Sequence, residues 1–176
     1  MIIKVCGMRE PQNIREVAAL AINWIGFIFY ERSKRFVDRC PTEQQATDSE
    51  QLSPKKVGVF VNATIESMME KASAYKLDYL QLHGNESPED CHTLQKRGYS
   101  LIKAFPIATK EDFEKTREYE GRVDYFLFDT RCEGYGGSGK RFDWSILTEY
   151  EGETPFLLSG GIRPENAEAI RNFRHP

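Results

Sequence analysis

Residues 57–82, VGVFVNATIESMMEKASAYKLDYLQL, hold the architecture of the chain in one repeat. Val57–Val61 is a β-branched and aromatic run of strand length. After the turn at Asn62 and Ala63, Thr64 stands where a helix N-cap belongs, its hydroxyl able to accept from a backbone N–H of the first turn. Ile65, Met68, Met69, Ala72 and Tyr75 then recur at helical spacing, which gathers them on one apolar face. Tyr79–Leu82 is again strand-like. Strand, helix and strand in this order predict a parallel βαβ unit, because parallel neighbours need a crossover of about a dozen residues or more. The paired methionines read as core filling.

Similar units extend in both directions. Strand-like runs occur at 2–6, 24–29, 101–105, 124–128 and 156–158, most strand starts lying roughly 22 to 33 residues apart. Ile14, Val17, Ala18 and Ala21 form a helical stripe after the first run, with Pro11 placed for a first helical turn. Ser87-Pro88-Glu89-Asp90 reads as a cap, an entry proline and an acidic first turn. Ala167, Ile170 and Arg171 open a last helical pattern after Pro164. The alternation is α/β with a parallel sheet, and it allows either a (β/α)8 barrel or an open doubly wound sheet.

Two observations favour the barrel. The first strand runs into Cys6-Gly7-Met8-Arg9, without the glycine-rich fingerprint of a dinucleotide fold. Cys6, Asn62, His83, Asp129 and Ser159 also end five different strands, and a barrel collects its strand ends around one mouth. The expectation is therefore a single (β/α)8 TIM-barrel domain over 1–176. Eight units of about 25 residues would need about 200, and only seven are legible before Arg174-His175-Pro176, so the eighth βα unit is expected to be absent. Two stretches interrupt the pattern. The segment 31–56 is polar and irregular, so a second helix there is short, frayed or missing. The stretch 130–140 holds Gly134, Gly136, Gly137 and Gly139 and reads as a mobile loop able to close over a ligand.

Composition narrows the function. Lys and Arg number 24 against 27 Asp and Glu, a net charge of −3, which disfavours nucleic-acid binding. With 40% hydrophobic and 29% charged residues the chain is globular rather than disordered. No apolar run approaches the roughly 20 residues of a membrane helix. The N-terminal residues do not follow a secretory signal pattern. Cys6, Cys40, Cys91 and Cys132 are scattered without metal-ligand spacing, as expected of reduced thiols in a cytoplasmic protein. Gly134 to Lys140 imitates a phosphate-binding P-loop, but Arg141 replaces the required Ser or Thr, which excludes that reading.

Several residues are equipped for chemistry. Cys6 can act as base or nucleophile only as thiolate, and alternation sets Lys4 on its side of the strand. Lys103 is expected to face inward as well. Packing is the competing reading for a lone strand-end cysteine. Asp129, after an apolar strand and beside a glycine loop, suits a general acid or a carboxylate capping loop amides. His83 suits a hydrogen-bond donor to substrate or a structural histidine. Arg32, Lys34 and Arg35 suit a carboxylate or phosphate. Ser159, Gly160 and Gly161 precede a helix entry, and glycines there let backbone amides approach an anion. No metal constellation is visible.

These residues carry a resemblance. Lys4-Val5-Cys6-Gly7-Met8, Gly26-Phe27-Ile28-Phe29 with Ser33-Lys34-Arg35, and Val57-Gly58-Val59-Phe60-Val61-Asn62 come first. Gln81-Leu82-His83-Gly84, Asp129-Thr130, Tyr135-Gly136-Gly137-Ser138-Gly139-Lys140, Phe142-Asp143-Trp144 and Leu158-Ser159-Gly160-Gly161-Ile162 follow in order. The chain resembles the phosphoribosylanthranilate isomerase family over essentially its whole length. The resemblance implies a cofactor-free (β/α)8 barrel of tryptophan biosynthesis. It also implies an Amadori rearrangement of N-(5-phosphoribosyl)anthranilate to 1-(2-carboxyphenylamino)-1-deoxyribulose 5-phosphate. Asp129 would be the general acid and Cys6 the general base. Arg35 would meet the anthranilate carboxylate, His83 would line the site, and Gly160 and Gly161 would form part of the phosphate cradle. The expected partner is this small phosphorylated substrate, with neither nucleic acid nor membrane. Without an eighth unit, reduced or absent activity is expected. Two other readings are a related phosphosugar barrel such as indole-glycerol-phosphate synthase, whose lysine and glutamate chemistry the Cys6/Asp129 pair fits poorly, and an inactive ligand-binding fragment.

Overall fold

The computed structural model describes residues 1–37, 54–130 and 144–172. Its seven strands are β1 (Lys4–Cys6), β2 (Trp24–Ile28), β3 (Lys55–Phe60), β4 (Tyr79–Leu82), β5 (Ser100–Ile107), β6 (Tyr125–Thr130) and β7 (Phe156–Leu158). They form one parallel sheet in the order β1 to β7. A doubly wound sheet reverses its strand order at a switch point, and this sheet never does, so its winding is that of a barrel. The α-helices are α1 (Pro11–Ala18), α2 (Ile65–Tyr75), α3 (Pro88–Lys96) and α4 (Ala167–Asn172). Two 3₁₀ segments, Lys110–Tyr119 and Trp144–Glu149, stand in the helix positions after β5 and β6.

Local chemistry explains the helix starts. Thr64 accepts from the Ser67 N–H at 3.2 Å, a cap worth about 1 kcal/mol. Ser87 and Asp90 form a reciprocal capping box, each side chain bonding the other's backbone N–H, with Pro88 at the entry. Lys76, with φ at +50°, takes the left-handed conformation that ends α2.

Contacts across the inner face curl the sheet. Trp24 on β2 stacks on Tyr79 of β4 at 4.6 Å between ring centres and meets Tyr125 of β6 edge-on at 5.2 Å. Strands β2 and β6 stand four places apart in the sheet, a separation that no flat sheet could bridge with one ring contact. Val57, Ile102, Ala104 and Leu127 pack with Trp24 in this inner core. The alternate residues Leu80, Leu82, Leu101, Phe105, Phe126 and Phe128 join Met68, Ala72, Cys91 and Leu94 in the outer core beneath the helices. Both faces of the sheet are thus covered, as a parallel sheet requires.

Lys103 corrects an expectation. It alternates with inward Ile102 and Ala104 and therefore lies in the outer layer, where it is 2% exposed. Its ammonium donates to the Leu82 and Gly84 carbonyls and to Glu86 Oε2, at 3.3, 2.7 and 3.1 Å. Glu86 in turn accepts from the Asn62 and Gly84 N–H groups at 2.8 and 2.9 Å. One buried ion pair thereby pins the turns after β3 and β4.

Of the segment 31–56, residues 31–37 form turns that return Phe36 to a bridge with Ile28, and β3 already begins at Lys55. The intervening stretch, including the second-helix expectation, lies outside the described residues. So does the glycine-rich loop beyond Thr130, together with Cys40 and Cys132. Among the described residues no eighth strand is present.

Candidate active site

Short strands followed at once by turns place four functional side chains and a glycine pair near one end of the sheet. Cys6 ends β1 opposite Gly26 of β2, and both the Gly7 and Met8 N–H groups donate to the Gly26 carbonyl, at 2.9 and 3.1 Å. These two hydrogen bonds to one carbonyl turn the chain sharply after the cysteine. Gly7 makes the turn possible with φ at +88°. Its missing side chain also matters, because a β-carbon there would lie 2.6 Å from Arg35 Cδ. The Arg35 guanidinium packs over this glycine and donates to the Cys6 carbonyl at 3.1 Å. The structure therefore brings Arg35 to the cysteine end of the site. Arg32 and Lys34 stay exposed in the same turn, the Lys34 carbonyl accepting from Arg9 at 3.1 Å.

A chain of polar contacts runs through the interior. Lys4 Nζ on β1 donates to Gln81 Oε1 on β4 at 2.6 Å. Gln81 Nε2 then meets His83 Nδ1 at 2.8 Å, and His83 Nε2 faces Asp129 Oδ2 on β6 at 3.7 Å, just beyond hydrogen-bond length. Residues 81 and 83 share a strand face because strand side chains alternate with period two. His83 and Asp129 are largely shielded, at 20% and 14% side-chain exposure. Burial pushes the His83 pKa below its ordinary value of 6.5 and outweighs the opposing pull of Asp129, while Lys4 and Lys103 push in the same direction as burial. The imidazole is therefore neutral at pH 7.

Asp129 Oδ1 accepts from the Thr130 N–H at 2.8 Å, which fixes one face of the carboxyl. Gly160, with φ at +87°, closes against the same oxygen. A β-carbon there would collide with the Thr130 hydroxyl and lie 2.9 Å from Asp129 Oδ1. Gly161 is also left-handed, at +63°. The Ser159 N–H is tied to the Phe128 carbonyl at 2.8 Å, which sets this glycine pair beside the end of β6.

The predicted residues Cys6, Arg35, His83, Asp129, Gly160 and Gly161 thus all lie at the C-terminal ends of β1, β2, β4, β6 and β7. Asn62 does not join them in a chemical role. Its side-chain Oδ1 accepts from the Asn85 N–H at 2.6 Å, so it staples two turns together. The sequence reading gave Gln81 no role, although its place two residues before His83 was a usable signal. Among the described residues no cluster of three His, Cys, Asp or Glu is arranged to hold a metal, and no helix is long and apolar enough to cross a membrane.

Residues 3–176 match a family model described as N-(5'-phosphoribosyl)anthranilate (PRA) isomerase. The chain is 98% identical to the N-(5'-phosphoribosyl)anthranilate isomerase of Parabacteroides distasonis, an alignment covering the whole chain and 80% of that relative. The enzyme of the same name from Phocaeicola vulgatus is 49% identical, over 99% of the chain and 82% of the relative. Among solved structures, phosphoribosyl anthranilate isomerase from Thermotoga maritima superimposes with a TM-score of 0.81 at 32% identity, covering 96% of this chain and 82% of that one. Another structure of a phosphoribosyl anthranilate isomerase, in complex with reduced 1-(o-carboxyphenylamino)-1-deoxyribulose 5-phosphate, gives a TM-score of 0.77 at 29% identity, covering 96% and 80%.

Proposed function

The chain belongs to the N-(5'-phosphoribosyl)anthranilate isomerase family, and from that premise we propose that Cys6 and Asp129 are the base and acid of its reaction. It is an isomerase of tryptophan biosynthesis that turns the aminoaldose N-(5-phosphoribosyl)anthranilate into 1-(2-carboxyphenylamino)-1-deoxyribulose 5-phosphate.

The substrate must first lose its furanose ring. The Asp129 carboxyl protonates the ring oxygen as the anilino nitrogen's lone pair forms the C1=N bond, and the C1–O bond breaks. The open-chain product is a protonated Schiff base, and Asp129 is left as carboxylate. The Cys6 thiolate then removes the C2 proton. The released electron pair forms C1=C2 and neutralises the iminium, giving an enolamine that tautomerises to the ketone. Each step exchanges one proton between a side chain and the sugar, and no electrons leave the substrate.

Binding follows the same geometry. The planar Arg35 fork beside the Cys6 turn suits the anthranilate carboxylate. Consecutive left-handed glycines at 160 and 161 let backbone amides approach the phosphate, at the strand-seven position where barrels often hold one. Strands β1 and β7 each have one side unpaired among the described residues, and an eighth βα unit would join there.

The observation that carries the catalytic assignment is the interior contact chain linking the strand of Cys6 to Asp129 through Gln81 and His83. The test follows anthranilate-sugar fluorescence during turnover. Cys6→Ala and Asp129→Asn are each expected to lower kcat by at least ~100-fold, the usual scale for general acid–base groups. Near-normal turnover in either variant removes that residue from the mechanism.

A further inference from the structure

We propose that Gln81 is a positioning residue that, held by Lys4, keeps the ring proton of His83 on Nε2, directed at Asp129. This inference rests on the assignment of Asp129 as the acid.

The direction of each hydrogen bond follows from what each group is able to do. An ammonium only donates, so the Gln81 atom 2.6 Å from Lys4 Nζ is the amide oxygen. The amide nitrogen is then the atom 2.8 Å from His83 Nδ1, and an amide NH₂ also only donates. Nδ1 must accept, so in the neutral ring the proton resides on Nε2. That nitrogen is the one 3.7 Å from Asp129 Oδ2. Gln81 is 2% exposed, so water does not compete for its amide. Lys4 fixes the amide, the amide fixes the tautomer, and the tautomer presents a donor to the carboxyl.

The donor acts after proton transfer. Once Asp129 has protonated the ring oxygen it carries a charge, and the Nε2–H faces that new acceptor. With the opposite tautomer, a nitrogen lone pair would face the carboxylate and oppose the transfer. The Gln81 amide bonds to Lys4 and His83, so its influence reaches Asp129 through the ring.

Long-range ¹H–¹⁵N spectra of the labelled protein, recorded without substrate, read the protonation site directly. The wild-type His83 is expected to show a protonated Nε2 and a bare Nδ1. Gln81→Met is expected to admit the Nδ1–H form and to lower kcat about tenfold with KM changed less than twofold. Lys4→Met frees the amide to rotate and should show the same ring signature. The double variant should be no worse than the weaker single one, since both act on one chain of contacts. Circular dichroism confirms that each variant is folded. A wild-type ring protonated on Nδ1, an Nε2–H signal unchanged in both variants, or a changed tautomer with undiminished kcat would each overturn the proposal. Failure of the acid assignment shows separately, as turnover that survives Asp129→Asn while the tautomer spectra stand.

Discussion

A β-carbon added to Gly26 would lie 2.8 Å from the Sγ of Cys6 and 3.2 Å from its Cα. The two residues are partners in the β1–β2 ladder, so the glycine makes the space that the thiol occupies. Neither can retreat, because the Gly26 carbonyl also holds the Gly7 and Met8 amides. Gly26→Ala is therefore expected to displace the thiol and lower kcat/KM on the order of 100-fold, the cost of misplacing a reacting group by about 1 Å. Steady-state fluorescence assays, with circular dichroism to confirm folding, check this outcome. Activity within twofold of wild type would show that the thiol position is not critical.

Thiol chemistry should divide the cysteines. Burial pushes the Cys91 thiol up to about 12, and its side chain is fully enclosed beneath α3. Cys6 is part exposed at the mouth of the site. Iodoacetamide in a Cys40→Ser/Cys132→Ser background is expected to modify Cys6 and spare Cys91, as read by peptide mass spectrometry. Activity should fall in step with Cys6 labelling.

The depressed His83 pKa has a consequence for stability. In the unfolded chain this imidazole takes up a proton near pH 6.5, whereas the folded protein resists protonation there. Acid therefore favours the unfolded state, and the stability contributed by neutral burial is present above pH 6.5. It is lost progressively as the pH falls from 6.5 toward the lower folded value, at up to about 1.4 kcal/mol per pH unit. Asp129 and Glu86 oppose this shift, and Lys4 and Lys103 reinforce it. Urea unfolding at pH 7.5 and 5.5 should show a smaller acid-induced loss in His83→Gln than in wild type. An equal loss in both would assign the acid sensitivity to other groups.

Lys103 and Glu86 are each 3% exposed in their side chains. Removing one partner strands the other charge in a dry site. Lys103→Met is expected to cost roughly 3–5 kcal/mol in urea unfolding. Adding Glu86→Gln should recover part of that loss, since the stranded charge is then removed. Strict additivity of the two losses would show that the pair does not act as a unit.

Local signals made much of this legible from sequence. Thr64 and the Ser87–Asp90 box are side-chain-to-backbone bonds within three residues, so their spelling is enough. Strand alternation placed Lys4 and Cys6 on one face without any knowledge of the fold. Lys103 failed that method for a physical reason: Leu101, Ile102, Ala104 and Phe105 are all buried, on a strand covered on both sides, so hydrophobicity gave no phase. The ten-residue 3₁₀ segment at Lys110–Tyr119 lacks the apolar stripe that marked the other crossovers. The role of Gln81 is not legible within its motif, because its partner Lys4 lies 77 residues away and strand order alone does not say which inward side chains touch.

The bond between Lys4 and Gln81 also carries meaning for the growing chain. At translation rates of about 5–20 residues per second, Lys4 waits roughly 4 to 15 s for Gln81 to be synthesised. Until then the first strand carries an ammonium among its apolar residues, a placement that disfavours edge pairing with another chain. The lysine that ends part-buried against Gln81 thus begins as a polar break in an apolar strand.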